Sequence, residues 1–294
     1  MPFDPDPPSP LPVVPLAGSD GWLMQWARWP LAVQLLVFWL AVAGGAGGWA
    51  LSLWLLAGRP VAVPAPLQAA YVCGLYAWLL WLCHRCRRVL ALPALPLARP
   101  AGLLTGAALA LACLGLLAAV SLGLGWAQLR PLRSDWPLIL GQVLLMAVAV
   151  AAIEEIVFRG LMLDLVLRRH GPGLACQLQA GIYACLHLLR SDLDLFAWLL
   201  ALASLWLTGL LLGQLRLHSQ GLAVCIGLHG GWICLTSFAA WSGLLSWDPA
   251  WARWSGLGNP VYGLSGMAVA ALGCWLARPA AEAKPAEGPE DRPV

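Results

Sequence analysis

Two carboxylates and one guanidinium lie close together in an apolar stretch of this 294-residue chain, in the pattern Glu154-Glu155-x-x-x-Arg159. On an α-helix, Glu155 and Arg159 are neighbours four residues apart and are predicted to form an ion pair. Glu154 lies about 100° round the helix and lacks that partner. A carboxylate in apolar surroundings can act as a general base near neutral pH. The alternative is a purely structural ion pair near the membrane interface.

Two histidines in later apolar stretches could share a site with Glu154. His187 follows Tyr183 by one helical turn, so both lie on the same helix face, and His229 lies in Gly-Leu-His-Gly-Gly-Trp. One carboxylate and two imidazoles from three helices could hold a water molecule between them. They could equally bind a zinc-like metal ion through three protein ligands. The residues alone leave both possibilities open.

The composition excludes an ordinary soluble domain. Residues of the set AVILMFWYC make up 61% of the chain and charged residues only 11%. Soluble globular proteins carry about 25% charged residues, so this chain has too few to cover a water-facing surface. The net charge of +3 is too small to indicate nucleic acid as a partner. We therefore expect an integral membrane protein in contact with the lipid bilayer.

Eight apolar stretches predict an all-α, polytopic helix bundle of about eight transmembrane helices, since about 20 apolar residues cross a bilayer. The fourth stretch is long enough only if its helix continues through Arg159, and the fifth is short. The predicted spans are Leu31 to Gly58, Val61 to Cys83, Ala101 to Leu129, Pro137 to Ile153, Gly171 to Leu189, Leu195 to Leu215, Ser219 to Trp247 and Ser255 to Ala277.

The placement of basic residues predicts the orientation. With the N-terminus inside, 11 basic residues fall on the cytoplasmic side and five on the other, so both termini are expected in the cytoplasm. We predict a disordered, proline-rich leader over residues 1–29, a transmembrane domain over 30–277 and a disordered tail over 278–294. Sixteen of the 17 basic residues are arginine. With so much Ala, Gly, Leu and Pro, this is typical of GC-rich bacterial genomes and indicates a bacterial inner membrane.

Three motifs in order resemble one family. The Glu-Glu-x-x-x-Arg pattern, the aromatic-x-x-x-His from Tyr183 to His187, and the late His229 are similar to those of the CPBP family, the CAAX-protease and bacteriocin-processing (Abi-type) intramembrane proteases. The stretch between the last two motifs, with Arg216 and Ser219 before His229, is also similar. The resemblance covers about residues 143–237.

The resemblance implies an intramembrane endopeptidase that cleaves a membrane-associated peptide or protein. Carried over residue by residue, Glu154 is the general base, His187 holds the same water molecule, and His229 stabilises the developing oxyanion. The pair of Glu155 and Arg159 would orient Glu154, and Tyr183 is a supporting residue. The cofactor stays open between none and a divalent metal such as zinc, for which the same three residues are the candidate ligands.

Two positions depart from the pattern of that family. Its second motif most often begins with Phe, and here Tyr183 adds a hydroxyl. Its last motif often has Asn or Asp four residues after the His, where this chain has Ile233. Loss of an oxyanion donor typically costs about 10²–10³ in rate. Two alternatives therefore stay open: an inactive relative acting as a membrane interaction or immunity protein, and a small proton-coupled transporter.

Overall fold

The structure, a computed structural model, describes residues 25–56, 64–92, 95, 100–188 and 194–277. Long helices dominate it, joined by short connections. The helices are α1 (Leu31–Leu56), α2 (Ala65–Val89), α3 (Pro100–Gly123), α4 (Trp136–Glu155), α5 (Leu163–Leu167), α6 (Pro172–Leu188), α7 (Leu195–Ser219), α8 (Ala223–Trp241), α9 (Ala252–Ser255) and α10 (Leu264–Leu276). A π-helix (Ile156–Met162) joins α4 to α5, and the strands are β1 (Ala127–Leu129) and β2 (Leu245–Trp247).

Six helical segments within the described residues are long and apolar enough to cross a membrane, which confirms a polytopic helical membrane protein. They cover Leu31–Leu55, Pro66–Val89, Pro100–Gly123, Trp136–Leu167, Leu195–Ser219 and Ala223–Trp241. The fifth and eighth predicted spans form helices too, α6 with 17 residues and α10 with 13. Both are shorter than the roughly 20 residues that a perpendicular crossing needs. The orientation of the termini stays a prediction.

The third and seventh predicted spans were drawn too long. Their helices end at Gly123 and Trp241. Gly125 and Gly243 follow with φ of 72° and 68°, a left-handed conformation that ends a helix at little cost for glycine. Beyond these turns, β1 and β2 pair in antiparallel fashion. Hydropathy counted the strand residues as helix because both elements are apolar here.

The ordered structure also begins earlier than predicted. Trp26, which we assigned to the disordered leader, is 1% exposed, and its indole donates a hydrogen bond to the carbonyl of Gln34 at 3.0 Å. The Gln34 amide donates back to the carbonyls of Trp26 and Ala27. The rest of the predicted leader and the predicted tail lie outside the described residues.

Glycines bring α3 and α8 into close contact. A Cβ atom on Gly106 would lie 2.2 Å from the carbonyl oxygen of Val224, and one on Gly227 would lie 2.2 Å from that of Leu103. No larger residue fits at either position without moving the helices apart. In a bilayer, where lipid offers no hydrophobic drive for helix association, such close packing of small residues holds helices together. This contact fixes the position of α8 relative to α3, and α8 carries His229.

The fourth span is continuous through Arg159, as its length required, but it changes its winding. After α4 the chain forms one stretch of π-helix and then returns to α5. A π-helix bonds residue i to i+5 and is often found at functional sites. Arg87 of α2 donates a hydrogen bond to the carbonyl of Gly160 within the π-helix and another to the Asp164 carboxylate at 2.8 Å. The neighbouring helix therefore stabilises this irregular turn.

Candidate active site

The predicted ion pair between Glu155 and Arg159 is present and fully buried. Arg159 Nη1 lies 2.9 Å from Glu155 Oε1, and both side chains are 0% exposed. Arg159 Nη2 also lies 3.4 Å from the carbonyl oxygen of Gly209 in α7, and the guanidinium lies 4.6 Å from the Tyr183 ring centroid. The pair thus connects α4 and the π-helix to α6 and α7 and compensates a charged group far from water.

His229 joins this pair from α8. Its Nδ1 lies 2.8 Å from Glu155 Oε1, the same oxygen that accepts from Arg159. Glu155 Oε1 acts as an acceptor toward Arg159, so Nδ1 of His229 carries a proton and donates it to this oxygen. The second ring nitrogen, Nε2, is then directed toward Glu154, at 3.8 Å from its Oε2.

Like His229, His187 has its Nδ1 bound by a hydrogen bond, here within its own helix. Its Nδ1 lies 2.9 Å from the backbone carbonyl oxygen of Tyr183, so that nitrogen must donate, since a carbonyl can only accept. Its Nε2 is left for the site and lies 3.4 Å from Glu154 Oε2. Both imidazoles therefore present Nε2 to one carboxylate oxygen.

The structure brings all three predicted catalytic residues together. Glu154 Oε2 is buried without a hydrogen-bond partner among the described residues, and the two Nε2 atoms face it. The side chains of Glu154 and His187 are 25% and 32% exposed, against 9% for His229 and 0% for Glu155. Glu154 thus combines a sheltered oxygen with access from outside, whereas Glu155 is wholly enclosed.

A cavity of about 570 Å³ opens onto these groups. Glu154, His187 and His229 line it together with Tyr183, and most of the remaining wall is aliphatic. Ile233 lies in this wall, one helical turn after His229. Aliphatic wall residues include Leu109, Leu205, Leu211, Leu212, Leu215, Leu228 and Val269. A cavity of this size with a few converging polar groups has the general form of a small-substrate or peptide side-chain site.

The three residues do not have the arrangement of a metal centre. Within the described residues, no group of three or more His, Cys, Asp or Glu side chains could hold a metal ion. The predicted zinc ligands, Glu154, His187 and His229, are thus not spaced as such a group in this structure.

One charged group near the site was not among the predicted site residues. Asp164, in α5, lies 2.8 Å from Arg87 of α2 and 3.7 Å from Arg216 of α7, measured between the nearest nitrogen and oxygen atoms. It ties three helices together just after the π-helix. The sequence could have indicated this role of Asp164, because an ionisable residue at the end of a span commonly has a charged partner on a neighbouring helix. Its two partners could not be chosen from the sequence.

Comparison with known families agrees with the motifs. Residues 134–235 match the family described as type II CAAX prenyl endopeptidase Rce1-like. The match covers about a third of the chain, includes Glu154, His187 and His229, and confirms the resemblance predicted over about residues 143–237. No curated protein and no solved structure matches the chain. This similarity and the membrane spans support an integral membrane protein of the CAAX-protease type.

Proposed function

We propose that this chain is an intramembrane endopeptidase that hydrolyses a peptide bond in a membrane-associated peptide or protein. The observation that carries the proposal is the convergence of two imidazole Nε2 atoms on one oxygen of Glu154, at 3.4 and 3.8 Å, at the wall of an apolar cavity. The Rce1-like match supports the reaction class.

In the proposed reaction, Glu154 takes a proton from a water molecule that His187 helps to hold. The resulting hydroxide attacks the carbonyl carbon of the peptide bond and forms a tetrahedral oxyanion. Glu154 then delivers its proton to the leaving nitrogen as the C–N bond breaks, so the base of the first step is the acid of the second. The partial exposure of Glu154 gives water and substrate access to it.

In this proposal, His229 stabilises the oxyanion. With a proton on each nitrogen, its ring donates from Nδ1 to Glu155 and from Nε2 to the developing negative charge. Glu155 and Arg159 form an ion pair beside that ring and hold it through the Nδ1 hydrogen bond. Donors that are fixed before the reaction are the most effective ones, because they need no reorganisation.

The substrate is proposed to place apolar side chains in the cavity, because most of the wall is aliphatic. The charged groups of a water-soluble peptide would lose their hydration there and find few hydrogen-bond partners in exchange. We place the enzyme in a bacterial inner membrane, with both termini in the cytoplasm, on the basis of the arginine distribution.

The test compares protein termini in membranes from four strains: wild type, deletion, and the deletion complemented with Glu154→Gln or with Asp135→Asn. Asp135 is the matched control, since it is an exposed carboxylate that pairs with Arg133 at the surface. We expect a new terminus in wild type and Asp135→Asn only, with equal amounts of all three proteins in the membrane.

Two results would contradict the proposal. A deletion phenotype that Glu154→Gln rescues, with no change in termini, would indicate an interaction or immunity protein. Flux of a solute or protons that depends on Glu154 in proteoliposomes, without a cleaved product, would indicate a transporter.

A further inference from the structure

The cavity wall lacks a polar side chain at the position one turn after His229. Ile233 occupies that position and has no atom that can donate a hydrogen bond to an oxyanion. The proposed reaction develops a full negative charge on the carbonyl oxygen, and one donor, His229, is a weak complement for it. A second donor must come from elsewhere in the wall.

Two hydroxyls of the wall already donate their protons to backbone carbonyls. The hydroxyl of Thr208 donates to the carbonyl of Ser204 at 2.8 Å, and that of Thr236 donates to the carbonyl of Trp232 at 2.9 Å. The indole nitrogen of Trp232 is buried and has no hydrogen-bond partner among the described residues. The two threonines therefore have no free hydroxyl proton to donate into the cavity.

Tyr183 differs from them. It lines the cavity, as Ser237 and Tyr262 do, and no hydrogen bond of its hydroxyl is present among the described residues. Of these three residues, Tyr183 has its ring against His187 and His229. The hydroxyl is not among the buried polar atoms of the described residues that lack a partner. Its proton is therefore available to a ligand.

The ring of Tyr183 is held firmly in place beside the reacting groups. Its centroid lies 4.2 Å from that of His187 and 6.3 Å from that of His229, and Phe158 packs edge-on at 5.0 Å. The Arg159 guanidinium covers the ring at 4.6 Å. A phenol that is held by four neighbours loses little conformational entropy when it donates a hydrogen bond.

We propose that the Tyr183 hydroxyl is the second oxyanion donor of the site and supplies the hydrogen bond that Ile233 cannot. Tyr183 would donate through Oη to the same oxygen as His229 Nε2, and it would take no part in proton transfer. This inference rests on the proposed endopeptidase function and adds a catalytic residue to it.

The experiment measures kcat and KM of the purified full-length protein in proteoliposomes, on a peptide that spans a cleavage site mapped in wild-type membranes. Tyr183→Phe removes only the hydroxyl and should lower kcat by about 10²–10³, the usual effect of one lost oxyanion donor. KM and the melting temperature should stay at wild-type values. Tyr71→Phe in α2, which does not line the cavity, is the matched control. Adding Ile233→Asn to Tyr183→Phe should restore part of the lost rate.

The outcomes separate this inference from the function on which it rests. If wild type cleaves in a Glu154-dependent way and Tyr183→Phe has the same kcat, the donor role is overturned and the endopeptidase stands. A fall in melting temperature that parallels the fall in activity would assign the hydroxyl a structural role and overturn the inference as well. If wild type shows no Glu154-dependent cleavage, both fall.

Discussion

His229 Nδ1 lies 2.8 Å from Glu155 Oε1, and this contact links the last motif of the site to the first. Glu155 therefore has two tasks, since it compensates the buried charge of Arg159 and sets which nitrogen of His229 faces Glu154. The two adjacent glutamates are thus chemically distinct: Glu154 is partly exposed at the cavity and Glu155 is enclosed.

Replacement of Glu155 should damage both the fold and the reaction. Glu155→Gln leaves Arg159 charged and unpaired at 0% exposure, and breaking a buried ion pair costs about 3–5 kcal/mol. We expect lower accumulation in the membrane and loss of cleavage, measured by immunoblot and by product formation. Glu154→Gln, one residue away, should accumulate normally. Normal levels and normal activity of Glu155→Gln would show that the pair is dispensable.

The close contact between α3 and α8 should be sensitive to a single methyl group. Gly106→Ala places a Cβ atom 2.2 Å from the Val224 carbonyl oxygen, so the helices must separate, at a cost of about 1–3 kcal/mol. His229 would move with α8, and we expect both melting temperature and kcat to fall. The control is Gly115→Ala in the same helix, where nothing lies within 4 Å of the new atom. Equal behaviour of the two variants would refute the packing argument.

Arg87 should stabilise the π-helix from outside. Arg87→Ala removes the hydrogen bonds to the Gly160 carbonyl and the Asp164 carboxylate, and hydrogen bonds to charged groups contribute about 1.5–3 kcal/mol. Arg216 remains near Asp164 and limits the loss. Thermal unfolding in detergent would measure the effect, with Arg133→Ala as control because that arginine is 60% exposed. If Arg87→Ala melts at the same temperature as the control, Arg87 does not stabilise the π-helix.

Cleavage should survive metal chelation. The described residues contain no group of side chains that could hold a metal ion, and the proposed mechanism uses Glu154 and two imidazoles alone. We expect the same kcat before and after dialysis against a strong zinc chelator, with the metal content followed by mass spectrometry. Activity that disappears with the metal and returns with added zinc would establish a metalloprotease.

Much of this architecture could be predicted from the sequence, because bilayer physics is restrictive. Uncharged stretches of about 20 residues leave few options besides helices, and the four-residue spacing of Glu155 and Arg159 predicted their contact. The meeting of Glu154, His187 and His229 was an expectation from their rarity in apolar segments, and the structure places them together.

Other features depend on contacts between distant parts of the chain. The hydrogen bond between His229 and Glu155 joins residues 74 positions apart, and nothing local to either residue indicates it. The β1 and β2 strands are stabilised by each other, so neither is visible in a helical hydropathy window. The position of the Tyr183 ring beside His187 and His229 could be found only from the packing of α6 against α8.

The π-helix between Glu155 and Leu163 affects how this chain should be aligned with other sequences. A π-turn accommodates one more residue than an α-turn over the same length of axis. A homologue with an unbroken α-helix here would therefore need a one-residue gap between Glu155 and Asp164 before its charged residues superposed on these. An ungapped alignment would match the glutamates correctly and would misplace the aspartate that anchors α2 and α7.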